Sequence, residues 1–273
     1  MSDAVGVVSP AWLDLRERAD ASARDPALVD ALRHQLPGGA PLVAHDLGCG
    51  SGAMTRWLAP QLAGPQHWVL HDRDATLLRL AAAVAVRSAD GAAVTVETRL
   101  EDLTDFDAHD LAGASLVTAS ALLDVLTVEQ VRRVVSVSTA AGCPALITLT
   151  VVGRVEFTPA DPSDAALTCA FNAHQRRTVD GHRLLGPDAI AFTTAAFTHA
   201  GAAVLVRPSC WRLDASHQDL LGEWLAGWID AACEQEPGLA PVARAYARRR
   251  VAELARGDLR VVVHHRDLLA LPP

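Results

Sequence analysis

The sequence predicts an α/β fold built on one mainly parallel, doubly wound sheet, and three observations carry that prediction. Short apolar runs of strand character alternate with segments of helical periodicity from residue 42 to the C-terminal region. The first such run ends in Asp46-Leu47-Gly48-Cys49-Gly50-Ser51-Gly52, a glycine turn that passes directly into a helical stripe. Asp72 closes the second run, 20 residues beyond Gly52, where a βαβ nucleotide site places an acid for the ribose hydroxyls. A sheet of this type binds its ligand outside the carboxyl ends of its strands.

Composition narrows the partners. With 273 residues, half of them hydrophobic, the chain can fill one sizeable core, so one domain with appended segments is expected. Lys is absent and all 24 basic residues are Arg; with Ala so frequent, this reads as a coding bias toward GC. A formal net charge of −8 argues against a nucleic-acid partner, whose phosphates require a basic face. The first residues have no basic start leading into an apolar core, and no apolar run reaches membrane-spanning length. A cytoplasmic protein with no membrane partner is expected. The five cysteines, at 49, 143, 169, 210 and 233, are odd in number and dispersed, which suggests neither a disulfide framework nor a CxxC metal site.

From the start of the chain, Trp12, Leu13 and Leu15, then Leu28, Val29, Leu32 and Leu36, predict two short helices ending at Pro37-Gly38-Gly39. They form a helical cap over residues 1–39, ahead of a domain spanning 40–273. Leu42, Val43 and Ala44 enter the first strand, and Met54, Trp57, Leu58 and Leu62 follow the turn at helical spacing. Glycines at every second position let the backbone turn sharply and let a ligand approach bare peptide groups. A dinucleotide fingerprint would read G-x-G-x-x-G, whereas here the glycines fall at 48, 50 and 52, with an acid two residues before the first.

That pattern resembles motif I of the class I S-adenosylmethionine (SAM)-dependent methyltransferases. The resemblance implies that Asp46 lies by the ligand's ammonium and that Gly48, Cys49, Gly50 and Gly52 face the sugar and the methionine part. Arg16 in the cap is then a candidate for the ligand's carboxylate. Residues 67–72 form the second strand, and Asp72, with Arg73 after it, is placed at the ribose; Asp74 is a candidate N-cap for the next helix. Val94-Thr95-Val96 reads as strand three. The resemblance places the adenine at the acidic stretch that follows, on Asp102 and Leu103 or on Glu101, while Asp105, Asp107 and Asp110 read as a solvated loop.

Strand four, Ala114 to Ala119, leads into Ser120 and the loop to Leu126, a position that resembles the family's motif IV, where the chain passes the transferred methyl. Ala119 and Ser120 are therefore assigned to the cofactor. The loop has no Asn/Asp-Pro-Pro-Tyr/Phe, which disfavours amino-methylating nucleic-acid enzymes, and it lacks the acidic set of the metal-dependent catechol-type enzymes, so no metal is expected. Thr127 and Gln130 predict a capping box. Ala145 to Val152 is a fifth strand buried on both faces. The segment from 153 to 185 interrupts the rhythm and carries Phe171 through Arg177, a polar cluster containing His174. A helix opens at Pro187 and ends before Gly201, Ala202 to Val206 is strand six, and Arg207 through Trp211 forms an exposed turn. Leu220, Leu221, Trp224, Leu225, Trp228 and Ile229 make an apolar helical stripe, read as core or a dimer face. Arginines 244, 248, 249, 250 and 256 read as a solvated face, and Leu259 to His264 closes the sheet.

The resemblance covers roughly residues 40 to 270, less inserts at about 153–185 and 207–257, and implies seven strands in the order 3-2-1-4-5-7-6 with the last antiparallel. It implies in-line transfer of a methyl group from SAM to a small-molecule acceptor, at oxygen or nitrogen foremost, with Asp124 and His174 as candidate bases, by a monomer or homodimer. An aminopropyl transferase, an NAD-dependent oxidoreductase and a SAM-binding protein without turnover are the alternatives.

Overall fold

The structure is a computed structural model in which residues 8–36, 41–103, 106–107 and 109–272 are described. Residues 1–7 of the expected cap, its Pro37-Gly38-Gly39 terminus and Asp105 lie outside them. Ser9 and Asp25 start α1 (Pro10–Ala23) and α2 (Pro26–Arg33) by accepting from the amides of Trp12 and Ala27, with proline at the first helical position of each. The alternation then runs β1 (Leu42–Leu47), α3 (Ala53–Leu58), β2 (Gln66–Asp72), α4 (Ala75–Ala81), β3 (Val94–Leu100), β4 (Leu116–Ser120), α5 (Val128–Ala141) and β5 (Ala145–Thr158). Asp74 caps α4 and the Thr127–Gln130 box caps α5, both as read from the sequence. Next come α6 (Asp164–Gln175), a small hairpin of β6 (Thr178–Val179) and β7 (His182–Arg183), and α7 (Ala189–His199). The chain continues as β8 (Ala203–Pro208), β9 (Trp211–Leu213), α8 (Gln218–Gln235), α9 (Ala240–Arg256) and β10 (Arg260–Leu271).

The main sheet is ordered β3-β2-β1-β4-β5-β10-β8. The pairs from β3 to β5 are parallel, and β10 inserts antiparallel between β5 and β8. With β8 as the sixth main strand and β10 as the seventh, this is the expected order. The apolar runs explain the parallel half: the first six residues of β5, like most of β1, β2 and β4, are buried, as in a sheet covered by helices on both faces. Ala44, Leu70 and Leu116 join one core with Met54 and Leu58, and Val117, Ala119 and Ile147 join the other with Val131 and Phe197.

β5 and β10 run further than expected, and β9 pairs with the first half of β10. After Val152 the burial along β5 falls to an alternation, because only one face of that extension is packed. That face carries a third cluster of Phe157, Leu167, Trp211, Leu225, Trp228 and Tyr246, so α6, α8 and α9 form one lobe over the extended strands. Arg250 departs from the expected solvated face. It is fully buried, donates to Asp164, Glu253 and the Pro159 carbonyl, and stacks on Phe157 and Tyr246. Among the described residues no helix is long and apolar enough to cross a membrane.

Candidate functional site

A cleft of about 900 Å³ opens at the carboxyl ends of β1, β2 and β4, beneath α1. Its floor is the glycine turn, with φ of 63°, 55° and 85° at Gly48, Gly50 and Gly52. These values suit glycine because a Cβ is disfavoured there. A Cβ on Gly52 would stand 2.7 Å from Val84 Cγ2, so this residue permits the close packing of the turn against the end of α4. Asp72 braces the turn, accepting from the amides of Gly50 and Asp74, each at 2.9 Å. Its carboxylate also lines the cleft, where each oxygen retains a second acceptor site.

At the sheet end of the cleft, Asp46 is buried and accepts from the Thr118 hydroxyl at 2.7 Å through Oδ1, while Oδ2 has no partner. Burial, opposed by the Thr118 hydrogen bond and Arg24, pushes its carboxyl up to about 7. Arg24, buried at the C-cap of α1, donates to the hydroxyls of Ser120 and Thr148 at 3.0 and 3.3 Å, and its guanidinium lies 4.9 Å from the Trp57 ring centre. Its Nη1 has no partner. One cleft thus holds a buried acceptor and a buried donor, both unsatisfied, a state that costs about 1–3 kcal/mol per group unless a ligand relieves it.

Arg24 is a residue the sequence reading missed, and no local pattern marks it: its hydrogen-bond partners lie 96 and 124 positions away. Arg16, the residue expected near the carboxylate, lines the cleft but is engaged by both oxygens of Asp20, which also accepts from Trp211 Nε1. Gly48, Cys49, Gly50, Arg73, Asp102, Leu103 and Ser120 line the cleft as well. Glu101 turns away to His71, which in turn meets His45 at 3.0 Å inside the sheet. Ala119 is buried and, like Gly52, backs the cleft without lining it.

Beyond Ala121 the cleft continues into a chamber of about 210 Å³, and the two share Trp12, Arg16 and Ala121. Three segments distant in sequence meet there, through Asp124, through Phe171 and Gln175, and through Trp211. The backbone at the junction is strained: Ala121 and Leu149 have φ of 51° and 60°, a left-handed conformation that costs about 1–3 kcal/mol for residues with a Cβ and clusters at functional sites. Burial pushes the Asp124 carboxyl up to about 6.

The structure does not bring His174 to this chamber. It lies on α6 facing α8, 3.2 Å from Glu234, and lines neither cavity. Trp224, read as core or dimer face, is a chamber wall, whereas Trp228 beneath it is buried. Among the described residues no group of three or more His, Cys, Asp or Glu is placed to hold a metal ion.

The strand order with its antiparallel β10, joined to a ligand cleft at the β1–β4 edge, decides the architecture. The fold is that of the class I methyltransferases. Solved structures similar in chain course include a cyclopropane synthase from Mycobacterium tuberculosis (14% identity, 97% of this chain and 100% of that one, TM-score 0.48). YcgJ from Bacillus subtilis is similar at 12% identity over 91% of this chain and 100% of its own, TM-score 0.48. Geranyl diphosphate methyltransferase, in complex with GPP and sinefungin, is similar at 13% identity over 91% and 78%, TM-score 0.43. No family model matches the sequence. No curated protein matches it.

Proposed function

We propose that this chain is a SAM-dependent methyltransferase acting on a small-molecule acceptor oxygen or nitrogen. The observation that carries the reading is the unsatisfied pair in the cleft. An α-amino acid presents an ammonium and a carboxylate a few bonds apart, and these answer Asp46 Oδ2 and Arg24 Nη1 respectively. The rest of the cofactor follows from the same cleft, with Asp72 at the ribose hydroxyls and Asp102 and Leu103 at the adenine. A dinucleotide would instead bring its pyrophosphate to the turn, whose glycines at 48, 50 and 52 do not follow the G-x-G-x-x-G spacing that cradles one.

SAM supplies an electrophilic sulfonium methyl, and sulfur keeps the bonding pair when the acceptor's lone pair takes that carbon. The chain contributes alignment, which can supply about 7–11 kcal/mol of the barrier, by joining cleft and chamber at Ala121. Asp124 takes the proton released by the acceptor O–H or N–H. A carboxyl raised to about 6 by burial is ionised at neutral pH yet more basic than a solvated one, which suits a general base. α1 walls both cavities, and Phe171, Gln175 and Trp224 of the lobe wall the chamber.

Calorimetric titration with SAM, with methylthioadenosine, which lacks the amino-acid part, and with NAD tests the reading. SAM is expected to bind more tightly than methylthioadenosine and NAD not at all. Failure of SAM to bind, or preference for NAD, would end it.

A further inference from the structure

The chamber has chemistry of its own. Its volume of about 210 Å³ falls below the roughly 300–1,000 Å³ of drug-sized sites, which leaves room for one ring system. Its walls include Trp12, Phe171, Trp211 and Trp224. Trp224 is backed by the buried Trp228 at 5.7 Å between ring centres, nearly parallel at 24°, so its plane is held in place. Flat, rigid walls select a flat ligand.

The polar groups decide what that ligand carries. Gln175 Oε1 and His265 Nδ1 are both buried without a partner, and both residues line the chamber. His265 is 4% exposed, and burial with Arg16 nearby keeps its ring neutral, at about 3, against backbone hydrogen bonds at Val263 and Ser209 that favour the proton. A neutral imidazole carries a single N–H, so one of its two nitrogens is an acceptor. With the Asp124 carboxylate, three residues that carry acceptors line one small space.

Charge removes two ligand classes. An anion would meet Asp124, and both arginines on the chamber wall are engaged, Arg16 by Asp20 and Arg154 by Glu156. A cation would compete with the Arg16 guanidinium, which already lies 5.0 Å from the Trp211 ring centre and 6.0 Å from that of Trp12. Building on the methyl-transfer reading, we propose that the acceptor is a neutral aromatic or heteroaromatic ring bearing two or more hydroxyl or amino donors.

The test is ligand-observed NMR and calorimetry on the full chain without cofactor. The donor-bearing probes are catechol and 2,3-dihydroxynaphthalene; the controls are 1,2-dimethoxybenzene (flat, no donors), cis-1,2-cyclohexanediol (donors, not flat), benzoate and benzyltrimethylammonium. At least one donor-bearing arene is expected to bind tenfold or more tightly than every control. Gln175→Leu is expected to bring that arene to the level of dimethoxybenzene while SAM affinity stays unchanged. Failure of both dihydroxyarenes to bind, binding equalled by any control, or an unaltered Gln175→Leu variant would overturn the proposal. Because SAM binding is measured separately, loss of arene binding with SAM binding intact sinks only the acceptor class. Arene binding without SAM binding sinks the cofactor reading instead.

Discussion

Replacing Asp46 with Asn tests the cofactor reading and the burial argument together, because one carboxylate has opposite effects on binding and stability. Its folded-state value of about 7 lies far above the ordinary 3.8, so the folded protein binds more protons than the unfolded chain between those pH values. Stability of the ligand-free parent therefore falls as pH rises from about 4 to about 7. At 1.36 kcal/mol per unit, the full difference is on the order of 4 kcal/mol, an upper value. Asn is neutral throughout and keeps an acceptor for Thr118, so the variant should match the parent near pH 4 and exceed it in stability at pH 8. Binding runs the other way. An ammonium needs the carboxylate, so the parent must release a proton below pH 7, and its SAM affinity should rise up to tenfold per unit between pH 5 and 7. Asn forfeits a hydrogen bond between charged groups, about 1.5–3 kcal/mol or roughly 10- to 150-fold in affinity, and its binding should be flat over the same range. Denaturant melts at pH 4 and 8 and calorimetry at pH 5, 6 and 7 measure both arms. A parent whose SAM affinity does not vary with pH, or a variant that binds as tightly as the parent, would refute the assignment.

Four further outcomes are expected. Asp124→Asn should lower turnover about 10²–10⁴-fold at nearly unchanged SAM affinity, and it should abolish the rise of turnover through pH about 6 that the parent carboxyl implies; a variant retaining that limb would remove Asp124 as the base. Arg24→Met should weaken SAM binding but not methylthioadenosine binding, since only the former carries a carboxylate, and equal losses for both would show a purely structural role. Arg250→Met should destabilise the chain by about 3–5 kcal/mol by thermal or chemical melting, because Asp164 and Glu253 lose their shared cation; a change under 1 kcal/mol would contradict that account. Turnover should survive EDTA, and its loss with recovery on adding Mg²⁺ would reveal a metal site.

The strand order was legible because its signals are local: each apolar run is short, and the glycine turn with Asp72 fixes which strand is first. The extent of β5 and β10 was less so. The alternation beyond Val152 looks like an insert until the first residues of β10 are known to pair there, and that pairing joins positions about a hundred apart. Arg250 could have been read. With Ala243 and Tyr246 it recurs on one helical face, and all three are buried, whereas composition alone suggested a solvated run of arginines. His174 misled because a polar cluster at the end of a helix looks like a site, yet its neighbour Arg176 pairs with Asp188 and His174 itself pairs with Glu234. Arg24 could not be found at all, since its meaning depends on Ser120 and Thr148 from separate strands.

Asp267 shows why cleft and chamber act as one unit. Its buried carboxylate accepts from the Leu149 amide at 2.8 Å and the Asp25 amide at 2.9 Å. The first bond draws Leu149 out of the ladder with β10, where the pairing shifts between Arg266 and Leu268, and leaves it at φ 60°. The second fixes the N-cap of α2 beside Arg24. A strained residue costs about 1–3 kcal/mol, while each hydrogen bond to an ionised group returns about 1.5–3, so the carboxylate can hold both segments against the strain. Leu149 forms part of the chamber wall and Arg24 part of the cleft. On the proposed reading, a change at Arg24 would reach the chamber through one buried side chain, which would tie the holding of the cofactor to the shape of the acceptor's space.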